Sequence, residues 1–157
     1  MLSLVRVDDR LLHGQVLGAW VPDTGADHLV VVSDKAAGDS FESAVMASCS
    51  CGDLKVEVCG VSAAVEQFLA GAYEEGKIIL IVSDLADARK LYDGGVRFNS
   101  LNIGNIHHGE LNGRTLTRSV VVNEDDERFI ESFIADGIEI DIRGLPGSEA
   151  TEYTKDN

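Results

Sequence analysis

Two carboxylates, a guanidinium and an imidazole fall within one short stretch near the start of the chain: Asp8, Asp9, Arg10 and His13 in VRVDDRLLHGQVLGAW. A neutral imidazole can attack phosphorus and hold the phosphoryl group as a phosphoramidate. Imidazoles titrate near neutral pH, so one ring can both accept such a group and give it up. Arg10 adds a fixed positive charge with a planar fork of donors suited to phosphate oxygens. Asp8 or Asp9 could bond one ring nitrogen of His13 and so decide which nitrogen reacts, or could orient Arg10. Gly14 removes a Cβ where the backbone must approach a ligand. A histidine alone reads equally well as a capping residue beside a solvated acidic turn. Together with Arg10, Gly14 and the acid pair, it points to chemistry.

The elements around these residues place them at a favourable point. An apolar run over 2–7 reads as a strand, and Val16, Leu17, Trp20 and Val21 recur at helical spacing. Residues 8–14, Leu11 and Leu12 among them and Gln15 following, therefore form a turn from strand to helix. In open α/β sheets, ligands bind beyond the carboxyl ends of the strands. A helix N-terminus there offers unpaired amides and a positive dipole end to an anion.

Further strand-length runs lie at 28–32, 55–59, 77–82, 100–103, 119–122 and 138–142. Several are continuous rather than alternating, as in strands covered on both faces. Between them, Phe41, Val45, Met46 and Cys49 form a helical stripe, as do Val61, Val65, Phe68 and Leu69. Leu85, Ala88 and Tyr92 form another, and Phe129, Ile130, Phe133 and Ile134 a last one. Asn123 before EDDE is an N-cap with acids in the first turn. VVSDK and IVSDL repeat one device, a buried strand followed by a Ser-Asp cap; Ser33 and Asp34 then face the same crevice as His13 or simply cap a helix. The expected class is α/β, one domain over 1–157, with a mostly parallel sheet under helices on both faces and an antiparallel edge. Residues 104–117 read as a long irregular loop and 148–157 as a loose tail.

Composition narrows the function. The chain has 157 residues, 27 acids and 13 bases, giving a formal charge of −14. Such a chain repels nucleic acid and anionic membrane surfaces. No apolar run approaches the roughly 20 residues that span a bilayer, and no secretory signal is evident. The chain reads as cytoplasmic, without direct membrane insertion. Cys49, Cys51 and Cys59 lack the spacing of a zinc site and read as reduced structural thiols.

Three competing readings of the loop fare worse. An Asp-Asp pair after the first strand resembles receiver domains, but Cys59-Gly60 and Gly104 stand where those need an acceptor Asp and a Lys. Histidine phosphatases and mutases set Arg and His adjacent, whereas Leu11 and Leu12 separate them here. A metal hydrolase built from His13, His28, His107 and His108 has no motif context. No metal or other cofactor is expected.

Residues 6–16 resemble the N-terminal signature of the IIB components of the mannose/fructose/sorbose family of the bacterial phosphoenolpyruvate-dependent sugar phosphotransferase system. That signature reads Arg-(Ile/Val)-Asp-(Asp/Glu)-Arg-Leu-(Ile/Val)-His-Gly-Gln-Val. Further matches are VVSD at 31–34, GGV at 94–96, LNIGNIHH at 101–108, SVVVNEDD at 119–126 and GIEIDIRGLP at 137–146. NIGNIHH is most similar to branches handling N-acetylgalactosamine or related amino sugars. The resemblance implies a phosphocarrier: His13 takes a phosphoryl group from the phosphorylated IIA component and passes it to a sugar entering through the membrane IIC and IID components. Arg10 supports the group, and Asp8, Asp9, Leu11, Leu12, Gly14 and Gln15 complete the loop. After NIGN the chain departs from the common pattern, with IHHGELNGRTLTRS where relatives carry an aromatic, small residues and Lys. Whether His107 and His108 touch substrate or shape the loop stays open.

Because phosphorylation adds about −1.5 to −2 of charge to an already acidic chain, a positive patch of Arg10, Arg6 and Arg114 is expected around His13. Two other readings of the same loop are a regulatory or adaptor domain without catalysis, and a histidine-dependent, phosphatase-like hydrolase.

Overall fold

The computed structural model describes residues 1–107 and 112–155. His108 and Glu110 lie outside the described residues.

Strand β1 (Leu2–Asp8) leads through the turn into helix α1, which contains a π-helical turn (Val16–Trp20) and a short α-helical end (Val21–Thr24). Then follow β2 (His28–Val32), α2 (Asp34–Ala37), α3 (Ser40–Ala47), β3 (Lys55–Cys59), α4 (Val61–Leu69), β4 (Ile78–Val82) and α5 (Leu85–Asp93). The chain closes with β5 (Ser100–His107), β6 (Arg114–Thr117), β7 (Val120–Val122), α6 (Glu124–Ala135) and β8 (Glu139–Ile142). The strands form one sheet in the order β3-β2-β4-β1-β5-β7-β6, with β8 also paired to β5. All pairings are parallel except β6 with β7, which is the expected antiparallel edge.

Burial explains why β4 reads as an unbroken apolar run. Ile78, Leu80 and Val82 enter one core layer with Val61, Ala64, Leu85, Leu91, Ile130 and Phe133 from α4, α5 and α6. Ile79 and Ile81 enter the other with Val16, Trp20, Ala36 and Met46 from α1, α2 and α3. Each buried Val, Leu, Ile, Phe or Met among them stabilises the fold by about 1.5–3 kcal/mol relative to exposure. Strand β1 alternates too: Val5 and Val7 join the first layer, which turns Arg6 and Asp8 toward α1.

Several expectations need correction. Among the described residues of the predicted loop over 104–117, most are sheet: β5 continues through Asn105 to His107, and β6 pairs antiparallel with β7. Asn105 misled because its side chain serves a buried polar network. Among the described residues of the tail expected to be loose, two are tied down: Thr151 bonds to Ile142, and the Tyr153 hydroxyl donates to Glu127 and Glu131. On α3 only Met46 is buried; Phe41 and Val45 are exposed, because this helix covers the sheet's outermost strand. The Ser-Asp device acts one residue out of step, with Ser33 capping α2 but Asp84 capping α5.

Candidate active site

The turn after β1 is built on Asp8. Its carbonyl accepts the Leu11 amide at 2.9 Å, and its Oδ1 accepts the Arg10 amide at 3.0 Å. Leu11 turns the chain with φ of 57°, a left-handed conformation unusual for a residue with a Cβ, while its side chain is buried against α1 and the sheet. Leu12 packs on the same core layer. The two leucines thus anchor the loop from beneath. Helical backbone starts at Gly14, where the Val16 and Leu17 amides converge on the His13 carbonyl. Further along, the Val21 amide bonds five residues back to Val16, a π-turn of the kind often found at functional sites.

Asp8 is wholly buried, and its Oδ2 is a hub. It accepts Arg6 Nε at 3.1 Å, Arg6 Nη2 at 3.0 Å, Asn105 Nδ2 at 3.1 Å and His13 Nε2 at 2.6 Å. Burial raises the Asp8 carboxyl, but the His13 hydrogen bond, the Arg6 charge and the Arg10 amide outweigh it and hold the group below its ordinary value. Asp8 is therefore a carboxylate, and the proton of the His13 pair sits on Nε2. That leaves Nδ1 with a lone pair. At the helix mouth it accepts a long hydrogen bond, 3.3 Å, from the Gln15 amide. The ring is largely buried, with 15% of its side chain exposed.

Arg10 stands over this mouth, with Nη2 on Gln15 Oε1 at 3.0 Å and Nε 3.7 Å from Asp8 Oδ1. Nearly half of its side chain is exposed, so most of its donors can turn to an incoming anion. Arg6 behaves differently. Its guanidinium is fully buried, bonded to Asp8 and to Asn102 Oδ1 at 2.7 Å, with the Trp20 ring 5.4 Å away. Burial lowers Arg6 from its usual value, and Asp8 opposes that. Trp20 in turn donates to the Gly144 carbonyl at 2.8 Å.

The expected positive patch is accordingly smaller than three arginines. Arg6 lies beneath the loop rather than on it. Arg114 turns its guanidinium to Glu127, to the Thr154 carbonyl and over the Tyr153 ring. Of the three, Arg10 is the one that presents charge at the mouth.

A second histidine–aspartate pair stands beside the first. His107 Nδ1 lies 2.8 Å from Asp9 Oδ2, and the Asp9 amide bonds to the Asn105 carbonyl at 3.1 Å. Ser33 and Asp34 lie at the same end of the sheet but are committed elsewhere. Ser33 Oγ accepts the Ala36 amide and Asp34 Oδ1 the Val61 amide. His28 sits at the far end of the strands, level with Leu2, where it bonds Glu57 at 2.9 Å. It does not meet His13. Cys59 is half-buried, and burial, aided by Glu57, pushes its thiol up to about 11. Sequence reasoning missed Asn102 and Asn105, whose amides complete the hub; polar residues inside an otherwise apolar strand were the available signal.

Residues 2–155 match the family model described as "PTS system sorbose subfamily IIB component". The chain is similar to the fructose-specific EIIB component of the phosphotransferase system of Bacillus subtilis strain 168, at 30% identity over 154 residues, covering 98% of this chain and 94% of the relative. It is 28% identical over 144 residues to the mannose-specific EIIAB component of Escherichia coli K12, covering 91% of this chain but only 44% of that longer protein. Among solved structures, the N-acetylgalactosamine-specific IIB component 1 from Escherichia coli superposes with a TM-score of 0.88 at 27% identity, covering 98% of this chain and 100% of that one.

Proposed function

The chain belongs to the sorbose subfamily of IIB components of the phosphotransferase system, and from that premise we propose that it carries a phosphoryl group on His13. The group comes from a phosphohistidine on the IIA component and goes to a sugar entering through the membrane IIC and IID components. The EIIAB name of one relative supports IIA as the donor. This reading sets the chain on the cytoplasmic side; among the described residues no helix is long and apolar enough to cross a membrane.

In the first transfer, the Nδ1 lone pair of His13 attacks phosphorus as the bond to the donor imidazole breaks. Such a step demands in-line positioning and stabilisation of charge on the equatorial oxygens. Arg10 meets the second demand, with the positive end of α1 beside it. As Nδ1 bonds to phosphorus, positive charge grows on the ring, and Asp8 at Nε2 stabilises it without taking the proton. Arg6 keeps Asp8 ionised and fixed. In the second transfer the same Nδ1 becomes the leaving group.

The observation that carries this reading is the His13–Asp8 contact, which engages Nε2 and turns Nδ1 to the backbone of Gln15, the residue whose side chain holds Arg10. The test is incubation with labelled phosphoenolpyruvate, the general components of the system and IIA, followed by locating the label. Acid-labile label on His13, absent from His13→Ala, is the expected result. Label elsewhere, or label stable in acid as on a thiol such as Cys59, overturns the proposal.

A further inference from the structure

Resting on the reading above, we propose that His107 is the proton acceptor for the second half of the reaction, taking the hydroxyl proton of the sugar as that oxygen attacks phospho-His13. The two half-reactions differ in their proton demand. Transfer from one imidazole to another moves no hydroxyl proton. Transfer from imidazole to an alcohol releases one, and a positioned base speeds such a step by about 10²–10⁴-fold.

The two histidine–aspartate pairs at this end of the sheet are wired in opposite senses. His13 gives Nε2 to Asp8 and keeps Nδ1 outward. His107 gives Nδ1 to Asp9 and so keeps Nε2 for other partners. Their carboxylates differ as well. The charge on Asp8 is shared with Arg6, two ring and amide donors and the Arg10 backbone, so it orients His13 without dominating it. Asp9 has no such cation: its Oδ2 is on His107, and its Oδ1 is buried with no hydrogen-bond donor among the described residues. A carboxylate so little shared acts chiefly on the one ring it touches, and it stabilises that ring's positive charge once a proton arrives.

The pairs are also linked through neighbouring residues. Asp8 and Asp9 are consecutive, Asn105 bonds Asp8 with its side chain and Asp9 through its backbone carbonyl, and His107 follows two residues along β5. Two-residue spacing along a strand sets Asn105 and His107 on one face. The His107 ring is more exposed than that of His13, as a group that must reach a second substrate should be. The step balances: the P–N bond to His13 Nδ1 breaks and leaves its electron pair on that nitrogen, a P–O bond forms to the sugar, and the hydroxyl proton moves to His107 Nε2.

The test separates the two halves of the reaction. His107→Gln keeps a donor for Asp9 but has no ring nitrogen to receive a proton; His107→Ala removes both. Each variant is loaded from labelled phospho-IIA. It is then mixed with membrane vesicles bearing the IIC and IID components, and fructose, mannose, sorbose and N-acetylgalactosamine are offered separately. Loading of His13 at the wild-type rate, with discharge to sugar slowed about 10²-fold or more in both variants and partly restored to His107→Ala by added imidazole, is the expected outcome. Unchanged discharge in both variants, or equal slowing of loading and discharge, overturns the role of His107. Failure of the wild-type His13 to load at all overturns the phosphocarrier reading instead.

Discussion

A Cβ on residue 104 would stand 2.1 Å from Cζ of Arg6 and within 2.4 Å of both its terminal nitrogens. The guanidinium cannot swing aside, because it is buried and bonded to Asp8 and Asn102. Gly104→Ala is therefore expected to break the buried pair and lower stability on the order of 3 kcal/mol. Its thermal midpoint should fall by roughly 10 °C. An unchanged melting curve would show that the hub has slack.

Removing the charge at Asp8 leaves Arg6 buried without its counter-ion, so Asp8→Asn is expected to cost about 3–5 kcal/mol. The effect carries a pH signature. The Asp8 carboxyl is held below its ordinary value of 3.8, so its contribution is complete above that value and is lost as pH falls through the lower folded value. Urea unfolding of both proteins should show a wide stability gap near neutrality that narrows in acid, below about pH 4. A gap that is constant with pH would contradict the assignment.

Arg10 presents the opposite case, a half-exposed side chain whose pair with Asp8 is long at 3.7 Å. Such surface pairs contribute little, so Arg10→Ala should stay within about 0.5 kcal/mol of wild-type stability. Loading of His13 should nevertheless slow by about 10²–10³, as when other preorganised charge stabilisers are removed. Rapid-quench measurement of label uptake decides; undiminished uptake removes Arg10 from the mechanism.

The thiols should separate by environment. With the Cys59 thiol pushed up to about 11, a thiolate-selective reagent at pH 8 should modify the exposed Cys51 well before Cys59. Cys59→Ser should load phosphate normally. Faster labelling of Cys59 than of Cys51, read by peptide mapping, would refute this.

Much of the fold was legible because both faces of the sheet are covered. Runs such as HLVVV and KVEVC correspond residue for residue to β2 and β3. Asn123 proves to be one half of a capping box with Asp126. The misreadings have specific causes. Gly104 and Asn105 resemble loop residues, yet each, like Asn102 within the predicted strand, is fitted to the buried Arg6–Asp8 pair, so their polarity and small size answer to the site and not to solvent. Phe41 and Val45 have the spacing of a core stripe, but a helix over an edge strand has too little sheet beneath it to bury both. At the site itself, His13, Arg10 and the acid pair could be read from residue type and position. The burial of Arg6 and the pairing of Asp9 with His107 depend on β1 and β5 lying side by side, a neighbour relation that a linear pattern does not contain.

Leu11 deserves a last thought for what its backbone does to traffic through the loop. Its left-handed turn, held from below by a buried side chain, strains the chain by about 1 kcal/mol or more and gives the segment a single shape. On the proposed reading, donor and acceptor must both approach His13 across this one loop, so they take turns. Excess unphosphorylated IIA would then compete with the membrane components and throttle sugar uptake by occupancy alone.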